Sequence, residues 1–255
     1  MEAWTVVLVF PGVAKRHLER NGRSLSTLGG AIVAGAAIGG MAWAVRGRSS
    51  TVFGPSVWHG PEHRQEIALT FDDGPSPSTP DLLRVLQQEK VPATFFQCGM
   101  HVRRFPQVAR EIVAAGHEVG NHTDTHSRLW MKSSKFVVGE LFRAQQAILE
   151  TTGATPRLFR ATYGVRWFGV KKAQQRLGLL HIMWSTIGLD WRLAAPQIVE
   201  RLLAGARNGA IFCLHDGRER HADPDIRNTI EAVRKVVPIL RDRGYRFRTV
   251  SELLR

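Results

Sequence analysis

Cysteine is scarce: the 255-residue chain has only Cys98 and Cys213, each inside an apolar, strand-like run. That argues against a disulfide framework and for two buried thiols, which say nothing about compartment. No internal repeat is present, and too few residues lie outside the main pattern to build a second domain. Acidic side chains are outnumbered, 22 Asp+Glu against 35 Lys+Arg, for a formal charge of +13. The arginines are scattered rather than interleaved with stacking aromatics, so no nucleic-acid partner is expected and a solvated basic surface is the plainer account. The same field would favour an anionic polymer or membrane.

The composition is 44% hydrophobic and 22% charged, which suits one catalytic-size domain with an appendage. Residues 1–27 form a basic N-terminal segment, in which Lys15, Arg16, Arg20 and Arg23 outnumber Glu2 and Glu19. Leu28–Val45 carries no charge and at ~1.5 Å per residue nearly spans a ~30 Å hydrocarbon core. Three readings of residues 1–45 stand: an anchor, a leader cleaved at the small-x-small "AWA" of 42–44, or a true start at Met41. The apolar "WTVVLVF" upstream favours the anchor. The positive-inside bias then places the N-terminus in the cytoplasm and the rest outside, since only Arg46 and Arg48 follow closely. Gly35 and Gly39 form a small-xxx-small pair that chance explains in so glycine-rich a run. Residues 46–65 read as a linker and 66–255 as the main domain.

In that domain, apolar runs of strand length ("IALTFDD", "ATFFQCG", "HEVGNHT", "RLFRATYG", "LLHIMWST", "AIFCLHD", "YRFRTV") alternate with helical patterns over 79–90, 105–115, 134–151, 169–177, 195–207 and 225–243. About seven β/α units predict an α/β fold, a parallel sheet that is open or closed into a barrel. Function gathers at the C-terminal ends of such strands. Those ends hold Asp72-Asp73, His122 and His126, Arg160 to Tyr163, Asp190-Trp191, and His215-Asp216.

Neighbouring side chains on a strand point to opposite faces, so Asp72 and Asp73 converge only where the chain leaves strand geometry. A polar turn at Asp73-Gly74-Pro75 accounts for the pair without any chemistry. His122 and His126, spaced i, i+4, are equally unremarkable alone. Together they offer two imidazoles and a carboxylate, a three-ligand set that leaves positions free for water at a divalent metal. One aspartate can then be ligand and the other base.

With "TFDDGP", "NHTDTH", "FRATYG", "GLDW" and "CLHDG" in order, the chain resembles the polysaccharide deacetylases, carbohydrate esterases sharing the chitooligosaccharide deacetylase (NodB) homology domain, over about residues 66–250. The resemblance implies a distorted barrel, one divalent metal (usually zinc, with cobalt or nickel as alternatives), and hydrolysis of acetyl groups on the sugars of a cell-envelope or extracellular polysaccharide. It implies Asp73, His122 and His126 as metal ligands and Asp72 as general base paired with Arg160. It also implies the Tyr163 backbone N–H as oxyanion donor and His215 as general acid.

Two departures stand out. Ala161 and Thr162 replace both prolines of the family's third motif, predicting a looser oxyanion hole. Ile187 replaces an aspartate that orients the acid histidine in many members, leaving Asp190 or Asp216 to do so. Trp191 and Asp190 are candidate substrate contacts. Trp184 is as compatible with the core as with a sugar face, and Trp130, Met131, Trp167 and Phe168 are candidates for a groove. His59, His63, His101, His117, His181 and His221 lack a companion at ligand spacing and read as surface or packing residues. A glycosidase would need separated carboxylates and no histidine ligands. A non-catalytic saccharide-binding member of the fold is the remaining alternative.

Overall fold

The computed structural model describes residues 33–255. The chain divides into two compact units, Met1–Trp43 and Ala44–Arg255. Helix α1 runs over 33–46, and among the described residues no helix is long and apolar enough to cross a membrane. The basic N-terminal segment and the first residues of the expected span lie outside the described residues. The last two residues of that span, Ala44 and Val45, are 7% and 4% exposed and pack with Phe53. They therefore belong to the packing of the second unit, as does much of the expected linker.

The second unit is a curled parallel sheet. Its strands are β1 (Ser56–Val57), β2 (Glu66–Asp72), β3 (Thr94–Gln97), β4 (Glu118–Asn121), β5 (Leu158–Phe159), β6 (Leu180–Ile182), β7 (Thr186–Ile187), β8 (Ala210–His215) and β9 (Arg246–Phe247). The order is β1-β6-β5-β4-β3-β2-β8-β7, with β9 also on β2. Helices α2 (Thr79–Gln88), α3 (Gly99–Arg104), α4 (Pro106–Ala114), α5 (Ser134–Thr152), α6 (Val170–Leu177), α7 (Ala195–Ala204), α8 (Arg227–Asp242) and α9 (Val250–Leu253) make up the connections and the C-terminus. Local signals mark their ends. The Ser133 hydroxyl caps α5 by accepting from Phe136 N, Gly153 ends α5 in the left-handed region (φ 73°), and Thr249 with Glu252 forms a capping box on α9.

β2 is buried along its whole length, as expected of a parallel strand covered on both faces. Its period of two sorts the side chains. Ile67, Leu69 and Phe71 join Leu82, Leu86, Val233 and Val237 in the core between sheet and helices. Ala68 faces the other way, into a smaller cluster with Phe96, Ile182 and Ile211 that Val250 and Leu253 of α9 close at one end. Truncating a large residue of the main core to Ala would cost about 2–5 kcal/mol. The same alternation carries Thr70 and Asp72 onto the inner face, where function can use them.

Among the described residues the barrel is not closed: the sheet ends on β1 and β7. The run "LLHIMWST" reads as one strand, but it splits into β6 and β7, which pair with different neighbours. Arg160 explains how the split is tolerated. Its guanidinium donates to the Ile182 and Met183 carbonyls at 3.1 and 3.2 Å, satisfying acceptors at the point where the ladder stops.

Candidate active site

Asp72 ends β2, and the parallel register pairs it with His215, the last residue of β8. Both face the inside of the curl, so strand pairing alone brings a carboxylate and an imidazole to one rim. Asp73, the next residue, has φ 73°, a left-handed conformation that turns its side chain toward the same rim instead of the opposite face. Gly217 lets the two loops approach, since a Cβ there would lie 2.4 Å from the Asp73 carbonyl.

Asp73 Oδ1 lies 3.2 Å from His122 Nε2 and 2.9 Å from His126 Nε2, while Oδ2 accepts the Glu219 N–H at 2.8 Å. Burial opposes ionisation of this carboxyl, but His122 and His126, where their Nε2 atoms carry protons, donate to it and hold Asp73 well below the usual carboxylate range. His122 Nδ1 is 2.8 Å from the Arg160 carbonyl; a carbonyl only accepts, so Nδ1 carries the proton and Nε2 presents a lone pair. That lone pair faces a carboxylate oxygen, an arrangement that needs a proton or a cation between them. One ligand atom from each of Asp73, His122 and His126 falls within 4.8 Å of the others, so the donor set fits a divalent metal with two nitrogens and an oxygen.

Asp72 is held from behind. Arg160, fully buried, donates through Nη1 to Asp72 Oδ1 at 2.7 Å and to Thr70 Oγ1 at 2.6 Å, and its guanidinium lies 4.2 Å over the Phe96 ring. The Cys213 thiol donates to Asp72 Oδ2 at 3.5 Å. Cys98 and Cys213 are both buried and unpaired, as the sequence suggested.

The support of His215 is settled by distance. Asp190 Oδ1 accepts from His215 Nδ1 at 2.8 Å, and Asp190 Oδ2 accepts from His215 N at 2.8 Å and Thr229 Oγ1 at 2.7 Å. Burial lowers the imidazole's pKa, but the Asp190 carboxylate more than offsets this and raises it to about 9. Asp190 is therefore a positioning residue and not a substrate contact: it is 4% exposed and both its oxygens are engaged. Asp216 instead accepts from Thr79 Oγ1 at 2.8 Å. Burial, with the charges of Asp73 and Asp72, raises its pKa to about 7.

A cleft of about 470 Å³ brings together Asp72, Asp73, His122, His126 and His215, and Tyr163, Trp184, Trp191 and His221 also line it. Trp191 is 41% exposed and stands edge-on to His215 at 5.0 Å, as a groove wall would. Trp184 reaches the cleft as well as the interior. Trp130, Met131, Trp167 and Phe168 are not among the lining residues; Trp167 packs instead on Trp130 and Phe53. Tyr163 sits in a one-turn 3₁₀ segment, Thr162–Gly164, at φ 58°. The bonds closing that turn come from Gly164 N and Val165 N, not from the Tyr163 N–H. The cleft also holds residues that sequence reasoning passed over. Arg46 reaches it from the supposed linker, and Arg218 and Glu219 from the loop after β8.

Comparison with known proteins gives the family and the fold. The family model described as polysaccharide deacetylase matches residues 59–182. A chitooligosaccharide deacetylase from Bradyrhizobium sp. (strain ANU 289) is 40% identical over 198 residues, covering 74% of this chain and 90% of the relative. A peptidoglycan-N-acetylglucosamine deacetylase of Bacillus cereus is 36% identical over 203 residues, covering 78% and 92%. Among solved structures, the Bc1960 peptidoglycan N-acetylglucosamine deacetylase superposes with a TM-score of 0.73 at 28% identity, over 78% of this chain and 92% of that one.

Proposed function

This chain belongs to the polysaccharide deacetylase family, and from that premise we propose that it hydrolyses the N-acetyl group of N-acetylglucosamine units in a cell-envelope or extracellular glycan. The observation that carries the reading is the meeting, at one cleft, of the Asp73/His122/His126 donor set with an arginine-held carboxylate and an aspartate-held imidazole. Peptidoglycan and chitooligosaccharide are the acceptors named for the relatives, and exopolysaccharide is chemically equivalent at the reacting group.

Asp73, His122 and His126 would hold one divalent cation, zinc by its liking for mixed N/O donors, which when bound supplies Lewis acidity to the acetyl carbonyl and acidifies water. Asp72, kept in place by Arg160, takes a proton from the attacking water. The Tyr163 N–H donates to the oxyanion that develops on the former carbonyl oxygen. His215, protonated below about pH 9 through Asp190, gives its proton to the departing nitrogen. The C–N bond breaks, and amine and acetate leave.

The domain is proposed to work outside the cytoplasm, with residues 1–45 as its anchor or leader. That placement rests on the charge bias and apolar run of the sequence. The test is acetate release from chitooligosaccharides, peptidoglycan and acetylated xylan, with zinc or cobalt added and with metal content measured in parallel. A purified chain that binds no divalent metal and releases no acetate from any of them would overturn the reading.

A further inference from the structure

Residues 44–53 precede the stretch matched by the family model, 59–182, yet they lie against the turn that carries Tyr163. Arg166, 1% exposed, is the centre of the contact. Its Nη1 donates to the Ser50 carbonyl, its Nη2 to the Gly47 carbonyl, and its backbone N–H to the Val45 carbonyl at 3.1 Å. Ser50 Oγ donates to the Ala44 carbonyl at 3.0 Å, closing the segment on itself. Ala44, Val45 and Phe53 form a small apolar cluster on which Val165 and Trp167 pack. Arg46 Nη2 reaches the Tyr163 carbonyl at 3.5 Å.

Among the described residues Arg166 is in no ion pair, and burial alone bears on its charge. A buried guanidinium in that position depends on its carbonyl acceptors, and withdrawing them strands a charge away from water. The segment and the turn therefore stand or fall together. The turn needs such help, because Tyr163 occupies the left-handed region, which is strained for a bulky residue and persists only when its surroundings enforce it. Neither residue that leads into it, Ala161 or Thr162, is a proline, so no ring fixes φ on the approach.

We propose that residues 44–53 act as a strap that holds the Tyr163 turn in the conformation presenting its N–H to the cleft, with Arg166 as the positioning residue. The inference rests on the oxyanion role proposed above for that N–H.

The test uses the full chain. Val45→Asp drives a charge into the small cluster under the strap and leaves the main cores untouched. Arg166→Met removes the clamp at similar length, and Arg166→Lys returns the charge. In Val45→Asp, trypsin is expected to cut sooner after Arg46 or Arg48, and amides over 161–166 to exchange faster. In Val45→Asp and Arg166→Met, kcat for acetate release from an N-acetylated chitooligosaccharide should fall about tenfold with KM within about twofold, the pattern of a loss felt only in the transition state. Bound metal per chain should not change, and Arg166→Lys should recover part of kcat. Full kcat in a chain whose strap is cut, or in folded Arg166→Met, would overturn the proposal, as would unchanged exchange over 161–166. If Arg166→Met does not fold, Val45→Asp decides. If the wild type releases no acetate while exchange rises in Val45→Asp, the strap stands and the deacetylase reading falls.

Discussion

The two halves of the cleft are built by different means. On one side Asp72 and His215 are cross-strand partners of β2 and β8, and each is fastened from behind by a buried residue, Arg160 or Asp190. On the other side, the groups proposed to meet a cation or an oxyanion sit on loops. There Asp73, His126, Tyr163 and Glu219 all have positive φ, at 73°, 51°, 58° and 48°. Each such conformation costs on the order of 1–3 kcal/mol and must be imposed by its neighbours. The proposed proton transfer is thus placed by register, which tolerates little drift. The proposed charge stabilisation is placed by strained backbone, and depends on side chains that pin the loops.

This division can be broken most sharply at its two ends. Asp72→Asn should lower kcat on the order of 10²–10⁴-fold, because the carboxylate that takes the water's proton is gone. The register and the donor set are untouched, so metal content should stay that of the wild type. His126→Ala should do the opposite, lowering bound metal per chain as well as activity. Parallel loss of metal in both variants, read by elemental analysis of the purified chains, would show that the two halves are not separable.

A smaller loss is expected at the support of the acid. With His215 raised to about 9 by Asp190, its proton is available through neutral pH, and activity should decline as pH rises through that value. Asp190→Asn removes the charge that raised the pKa and leaves burial, which lowers it. Asp73 and Asp72 still raise it more weakly, so the alkaline limb should move down from about 9 toward the ordinary imidazole value of about 6.5, and kcat at neutral pH should fall severalfold. A pH–rate profile displaced to higher pH, or not at all, would contradict the pairing. Stability follows the same sign. A group whose folded pKa exceeds its unfolded one stabilises fully below the unfolded value and loses that contribution as pH rises through the folded value. In metal-free protein, the gap in unfolding midpoint between wild type and Asp190→Asn should be widest near pH 6 and close toward pH 9.

Much of the strand-borne half was legible in the chain. The alternation in "IALTFDD" and "AIFCLHD" placed Asp72 and His215 at strand ends, because a period of two survives in any sheet. The i, i+4 histidines and the paired aspartates likewise announced a donor set. What stayed hidden depended on contacts distant in sequence. The choice between Asp190 and Asp216 as the partner of His215 stayed open, since the bond spans 25 positions and Asp190 reads equally well as a sugar contact. The split of "LLHIMWST" into β6 and β7 was invisible because the carbonyls it frees are satisfied by Arg160, a side chain distant in sequence. The segment "RGRSS" read as a linker because its value to the fold lies in carbonyl oxygens, which every sequence possesses.

The smallest expected effect is also the most discriminating for the loop-borne half. Ala161 has φ −71° and ψ 134°, angles that proline adopts without strain. Ala161→Pro, which restores one proline of the family's motif, should therefore raise stability by about 0.4–1 kcal/mol by narrowing the unfolded ensemble. Its effect on turnover separates two pictures of the turn. A hole left loose by the missing prolines would tighten, and kcat would rise. The turn is already pinned, by the Thr162 hydroxyl donating to the Ser127 carbonyl at 2.7 Å and by Arg166 gripping residues 47 and 50, so kcat should stay within about twofold of the wild type. A severalfold gain in kcat at unchanged KM would mean that side-chain bonds hold this backbone less firmly than a ring would.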